Sequence, residues 1–384
     1  MIYLDNAATT LQKPPAVIDA VVSALHNSAN ASRGAYGEAL ASSRLIFKTR
    51  QKLAEFFGCE TDHVVFTSNA TESLNIAIQG LFSSGDHIIS TDWEHNSVLR
   101  PLYRLQREQG VELDFVSADE NGALDLASLE SLIKDNTKAI VCTHASNVIG
   151  DCIDLDVISK FAKAHGLLFI LDASQTAGVI PINMEELGIS VLCASAHKGL
   201  LGPQGVGVLC IAQGVEIRPL KVGGTGIHSF DKNQPQEYPT RLEAGTLNGH
   251  GIAGLSAALD FLNETGLSTI HEHEMKLATR FYKGIKQFDS IKIYGDHSKS
   301  LRTAVVALNV GSEDASYVSD LLSNEFGIAT RPGAHCAPRI HEAMKTQAQG
   351  AVRFSFGWYN STEDVDAAID ALGEITRYLC KDQL

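Results

Sequence analysis

Residues 167–211 read LLFILDASQTAGVIPINMEELGISVLCASAHKGLLGPQGVGVLCI. Three apolar runs of strand length punctuate this stretch: Leu167–Leu171, Ile189–Ala194 and Gly205–Ile211. Runs this apolar, without alternation, suit strands covered on both faces of a sheet. The first run ends at Asp172, and the second leads into Ser195-Ala196-His197-Lys198-Gly199. A lysine in a tight turn between buried strands is poorly solvated, which lowers its pKa and frees the amine as a nucleophile. Taken singly, Lys198 reads as a solvated turn lysine and Asp172 as a helix cap. Together, at successive strand ends, they form the pair that pyridoxal phosphate needs: an amine for a Schiff base and an acid for the ring nitrogen.

Outward from this stretch, strand-length runs alternate with helical periodicity from about residue 60 to residue 255. Strands are expected at His63–Thr67, His87–Ser90, Val111–Val116 and Ala139–Thr143. Helices are expected at Thr71–Leu81, Val98–Gln109, Leu126–Lys134 and Leu155–Ala164. This rhythm implies an α/β fold with a mostly parallel sheet covered by helices. Ligands of such sheets bind beyond the carboxyl ends of the strands, where Asn69, His95, Asn147, Asp172 and Lys198 all fall. After the helical run Gly251–Asn263 the pattern changes to a smaller α+β domain. The expected division is an N-terminal segment (1–14) packing with the small domain, a large domain (15–260) and a small C-terminal domain (261–384).

The 384 residues carry a formal net charge of −14, which disfavours non-specific nucleic-acid binding. No apolar run is long enough to cross a bilayer, so no membrane association is expected. No basic, apolar segment precedes Asp5, and the seven cysteines form no C-x-x-C pair; a reducing cytoplasm is the expected location. Cys142, Cys193 and Cys210 sit in strand patterns and read as core residues.

Several short motifs could carry chemistry. Asn69-Ala70-Thr71-Glu72 follows a strand and opens a helix, whose free N–H groups can hold an anion. Asn69 and Glu72 also have capping-box spacing. In Trp93-Glu94-His95 either ring could stack on a planar cofactor, and spacing does not choose between them. Gly205-Val206-Gly207 lacks the remaining glycine of a dinucleotide loop. His271-Glu272-His273-Glu274 reads as a solvated helix face, because histidines two apart on a helix do not share a face. His335, Cys336 and His341 have no fourth ligand nearby, so no metal is expected. Arg331-Pro332-Gly333-Ala334-His335-Cys336-Ala337-Pro338 denies Cys336 helix or strand and leaves an exposed loop thiol. Arg353 lies in an alternating strand, where a guanidinium either captures a carboxylate or faces solvent.

As a set, these segments resemble the class V aminotransferase family of pyridoxal-phosphate enzymes, and within it the group II cysteine desulfurases and selenocysteine lyases. The resemblance runs from Tyr3-Leu4-Asp5-Asn6-Ala7-Ala8-Thr9-Thr10 to the Arg353 strand. It rests on Ser195-Ala196-His197-Lys198, Asp172-x-x-Gln175, Thr143-His144-Ala145-Ser146-Asn147, Glu94-His95 and Glu243-Ala244-Gly245-Thr246-Leu247-Asn248, with Arg331-x-Gly333-x-His335-Cys336 for the thiol loop.

The resemblance implies the fold-type I architecture, with a seven-stranded type of sheet, and a homodimer. It implies that Lys198 condenses with the cofactor aldehyde, Asp172 holds the ring nitrogen protonated and Gln175 bonds the phenolic oxygen. His95 stacks on the ring. Ala70, Thr71, Ser195 and His197 hold the phosphate, and Thr246 reaches the phosphate of the other subunit. Arg353 and Asn147, with Arg331 and Arg33 nearby, bind the substrate carboxylate. Cys336 takes sulfur from L-cysteine, or selenium from L-selenocysteine, and passes it to an acceptor protein or small thiol. The alternative left open is another enzyme of the same family, an aminotransferase or β-lyase, with an inert Cys336. The chain departs from the family at Ser32, where members often carry His. Pro332 and Ala337-Pro338-Arg339-Ile340 are also unusual and stiffen the thiol loop.

Overall fold

The computed structural model describes residues 1–31 and 34–381. The chain starts with a short strand, β1 (Ile2–Tyr3). The central sheet follows: β2 (Val64–Thr67), β3 (His87–Thr91), β4 (Glu112–Val116), β5 (Thr137–Thr143), β6 (Leu168–Asp172), β7 (Val191–Ser195) and β8 (Gly207–Ile211). Their order across the sheet is β2-β8-β7-β6-β5-β3-β4. Every pairing is parallel except the two made by β8. The inner strands are buried along nearly their whole length, which is why they read as unbroken apolar runs.

A second group of strands follows: β9 (Ile291–Tyr294), β10 (Val305–Val310), β11 (Ile328–Ala329) and β12 (Val352–Ser355). β12, β10 and β9 form an antiparallel sheet, and β1 pairs in parallel with β11. Leu4 shares a core with Phe281, Phe354 and Leu372, so the N-terminal segment is part of this second layer. Ala337, Ile340 and Met344, in contrast, pack into the core of the large sheet. The thiol segment therefore leans across from the small sheet onto the large one.

Register places the chemistry along one sheet edge. Thr143 pairs with Asp172, Asp172 with Cys193, and Ser195 with Gly207, which in turn faces Thr67. Gly207 cannot be larger: a Cβ there would stand 2.3 Å from the Thr67 hydroxyl oxygen and 2.5 Å from the Asn69 carbonyl carbon.

Two expectations from periodicity are corrected. Residues 126–132 form a 3-10 run in place of an α-helix. Asp125 gives no side-chain cap, and the Ser128 and Ser131 hydroxyls donate to the carbonyls of Asp125 and Ser128, at 2.7 and 2.6 Å. The tight turn expected around Lys198 is an eleven-residue loop, 196–206, although β8 returns antiparallel to β7, a connection that a two-residue turn could make. Among the described residues no helix is long and apolar enough to cross a membrane.

Candidate active site

Lys198 lies in that loop, half-buried. The N-terminal segment clamps the backbone around it. Thr10 N–H donates to the His197 carbonyl at 3.0 Å, Lys13 Nζ to the same carbonyl at 3.0 Å, and the Thr10 hydroxyl to the Lys198 carbonyl at 3.4 Å. Burial lowers the Lys198 ammonium pKa to about 8, helped by Arg353 and Arg331 and opposed by Asp172.

Asp172 ends β6, buried. Its Oδ1 accepts the Ser174 N–H at 2.9 Å and the Ser174 hydroxyl at 2.5 Å. This fixes the carboxylate's direction while using one of its oxygens. Gln175 is oriented through Nε2, which donates to the Ala7 carbonyl at 3.1 Å.

His95 caps the helix Asn96–Gln109: Nδ1 accepts the Ser97 N–H at 3.0 Å. Burial, then the Lys198 charge, lowers its pKa to about 4. The ring is therefore neutral near pH 7, and with Nδ1 accepting, its proton sits on Nε2. The Ser97 hydroxyl stands 2.8 Å from that Nδ1 and 2.7 Å from the Thr71 hydroxyl, linking ring to helix start. Ser97 carries no sequence signal beyond its place two residues after His95. Trp93 is not a stacking candidate: it is 2 % exposed and donates to the Gly122 carbonyl at 2.7 Å.

The helix Ala70–Leu81 begins beside the end of β7. Ala70 N–H donates to the Ser195 hydroxyl at 3.1 Å. Asn69 Oδ1 accepts the Glu72 N–H at 2.9 Å, but Glu72 answers the N–H of Ser68, at 2.6 Å, so the expected capping box is shifted by one residue. His197 Nδ1 stands 3.1 Å from the Thr9 hydroxyl. Thr246 stands apart from this cluster, exposed, lining a cavity of about 180 Å³ with Ser68, Glu72 and Gly205.

Beneath the site is a residue that the motif reading named but gave no role. Glu94 is fully buried, its Oε1 accepting the Thr91 hydroxyl at 2.7 Å and the Thr143 N–H at 3.0 Å. Burial raises its pKa to about 8, so it is mostly a neutral acid at pH 7. Burial of a Glu in a polar tripeptide leaves no trace in hydropathy.

Arg353, on β12, is 1 % exposed, so it does not face solvent. Nη2 bonds Asp5 Oδ1 at 2.7 Å and Nη1 donates to the Asn147 carbonyl at 3.0 Å, leaving the buried Nε–H without a partner. Asn147 Nδ2 donates to the His335 carbonyl at 2.8 Å, and its buried Oδ1 also lacks a partner. One unpaired donor and one unpaired acceptor, on two residues joined by a hydrogen bond, suit an α-amino acid.

Cys336 is exposed, while Cys142, Cys152, Cys193 and Cys210 are buried. Its carbonyl accepts the Asn96 N–H at 2.7 Å, and Arg331 Nη2 stands 4.0 Å from its sulfur. His335 and Cys336 both take left-handed backbone angles, φ +52° and +58°. Arg33 and Ser32 lie outside the described residues. Among the described residues no cluster of three or more His, Cys, Asp or Glu could hold a metal. The expected solvated face at 271–274 is corrected as well. Glu274 is buried, and His271 and His273 stand 2.8 and 3.1 Å from the carbonyls of Arg302 and Asn360. Helix Leu267–Ile285 turns that side onto the small sheet.

The aminotransferase class-V family model matches residues 2–368. The chain belongs to the class V aminotransferase family. A probable cysteine desulfurase of Methanothermobacter thermautotrophicus is 34% identical over 380 residues, 97% of this chain and 94% of the relative. The apo structure of a cysteine desulfurase from Thermococcus onnurineus has a TM-score of 0.92 at 34% identity, covering 98% of this chain and 94% of the other. An Escherichia coli cysteine desulfurase in its S-sulfonic acid form has a TM-score of 0.87 at 30% identity, covering 97% and 94%. The family's enzymes are pyridoxal-phosphate dependent. The donor set fits that group: a poorly solvated amine, a directed carboxylate, a neutral ring held edge-on by Ser97, and a helix start flanked by hydroxyls.

Proposed function

We propose that the chain is a pyridoxal-phosphate-dependent cysteine desulfurase that converts L-cysteine to L-alanine and takes the sulfur on Cys336. One observation carries the sulfur-accepting role: the exposed thiol is the one cysteine of the described residues on a loop bonded to both His95's helix and Asn147. The full-length likeness to cysteine desulfurases supports the substrate.

The cofactor, when bound, supplies an electron sink conjugated to the substrate's Cα. Lys198 would hold it, and as a free amine would move the Cα proton. Asp172 would keep the ring nitrogen protonated, Gln175 would bond the phenolic oxygen, and His95 would flank the ring. Ala70, Thr71, Ser195 and His197 would bind the phosphate. Arg353 and Asn147 orient the substrate carboxylate, with Arg331 beside the thiol. At Cys336 the thiolate forms an S–S bond as the substrate's Cβ–S bond breaks. That bond's electron pair stays with the three-carbon fragment, which is protonated and leaves as alanine. L-selenocysteine fits the same atoms, and a protein or small thiol then removes the persulfide sulfur.

A homodimer is part of this reading. Thr246 lines an open cavity of about 540 Å³ beside Phe47, and Leu40, Phe47, Val222 and Phe230 are exposed apolar side chains. The test is product analysis with cysteine and selenocysteine. Equimolar alanine and a Cys336 persulfide are expected from cysteine, both lost in Cys336→Ala; alanine formation from cysteine undiminished in that variant would refute the role of the thiol.

A further inference from the structure

Arg339 is the charged group of the thiol segment that this chemistry leaves unused. It lies three residues after Cys336, in the short helix Pro338–Ala343. Its Nε donates to Asp92 Oδ1 at 2.7 Å and its Nη1 to the Tyr103 hydroxyl at 3.4 Å. Its guanidinium lies over the Phe115 ring, 3.8 Å from the centroid. Asp92 is itself fixed, because its Oδ2 accepts the Ala118 N–H at 3.0 Å.

Asp92 begins the loop that ends at His95. The bond from Asn96 N–H to the Cys336 carbonyl ties the thiol residue itself to the start of the helix that His95 caps. The thiol segment is thus tied to the His95 region at Cys336 and again three residues beyond it. Left-handed angles at two consecutive non-glycine residues persist only where surroundings hold them. Pro338 fixes one backbone angle of the chain but carries no charge or N–H to bond across to the His95 loop. The charged, stacked contact across to the large sheet is Arg339's.

We propose that Arg339 is a positioning residue for sulfur transfer, holding the Cys336 loop in register with the His95 loop through Asp92 and Phe115. This rests on Cys336 being the sulfur acceptor. Attack on sulfur needs the thiolate near contact distance, and a displacement on the order of 1 Å costs about a hundredfold in rate. A merely space-filling arginine would change stability without changing that step selectively.

The test uses the full chain as Arg339→Ala, Arg339→Lys and Asp92→Asn. Amide exchange in cofactor-free protein should become about tenfold faster across 331–344 in Arg339→Ala, with the central sheet unchanged. In holoenzyme, single-turnover persulfide formation should fall about 10- to 100-fold, while the cysteine concentration that half-saturates the cofactor's spectral change stays put. Lysine should restore part of the rate, and Asp92→Asn, which keeps the arginine, should resemble Arg339→Ala if that variant folds poorly. Unchanged exchange with an active parent overturns the latch alone, as does an equal loss of cysteine binding and turnover. A parent that makes no alanine from cysteine overturns the activity reading and the positioning role with it.

Discussion

At the residue scale, electrostatics are set by burial more than by partners. A Lys198 pKa near 8 leaves about a tenth of the amine uncharged at pH 7, several hundredfold more than an ordinary lysine. Short pulses of pyridoxal phosphate on cofactor-free protein, trapped with borohydride and mass-mapped, should label Lys198 with a yield rising through a midpoint near pH 8. A midpoint above pH 10 would contradict a desolvated amine. Glu94 runs the other way. Its folded pKa, about 8, is raised above the ordinary 4.5, so the native state binds the extra proton between those values. Stability from this group is therefore present below about pH 4.5 and is lost as pH rises towards 8. Glu94→Gln, neutral at every pH, should melt close to the parent at pH 5 and higher than it at pH 8 to 9, by a few kcal/mol at most. Equal melting curves at both pH values would show that Glu94 ionises freely.

At the element scale, the loop after β7 is placed by what crosses beneath it. Gly178, at φ +86°, lies so close that a Cβ would stand 2.3 Å from the carbonyl oxygen of Gly199, the residue following Lys198. Gly178→Ala combines a left-handed angle with a backbone collision and should cost on the order of 1–3 kcal/mol. It should also weaken cofactor retention by shifting Lys198. Urea melts and a spectral titration with pyridoxal phosphate measure both, and an unaltered titration would separate the loop from the turn below it. The strands were legible because two-sided burial writes itself as apolar runs. The 3-10 stretch at 126–132 was not, because serine hydroxyls competing for carbonyls leave helical periodicity intact. The length of the Lys198 loop was hidden for a similar reason: glycine and proline mark a turn without saying how far it extends.

At the scale of the whole molecule, some large apolar side chains stay exposed. Phe47, 54% exposed, shares a cavity with Thr246, while Phe230 is wholly exposed and Val222 is 72% exposed. Contiguous exposed apolar patches mark interfaces. If the proposed dimer forms and Thr246 reaches the other subunit's site, Phe230→Asp should yield monomers in sedimentation velocity and lower cofactor retention; a parent that sediments as a monomer would remove the shared site.

Much of the site was readable because each motif is local in the chain: Ser195-Ala196-His197-Lys198 and Asp172-x-x-Gln175 carry their chemistry within a few residues. The sequence alone determined the reactive groups and the α/β class, since side-chain identity and apolar patterning do not depend on how distant segments meet. Only the tertiary structure decided which charges neutralise which. Asp5 meets Arg353 across 348 residues and Asp92 meets Arg339 across 247. It also decided that Glu94 and Glu274 are buried. Those outcomes depend on which surfaces the packed layers exclude from water, and no short-range spacing records that.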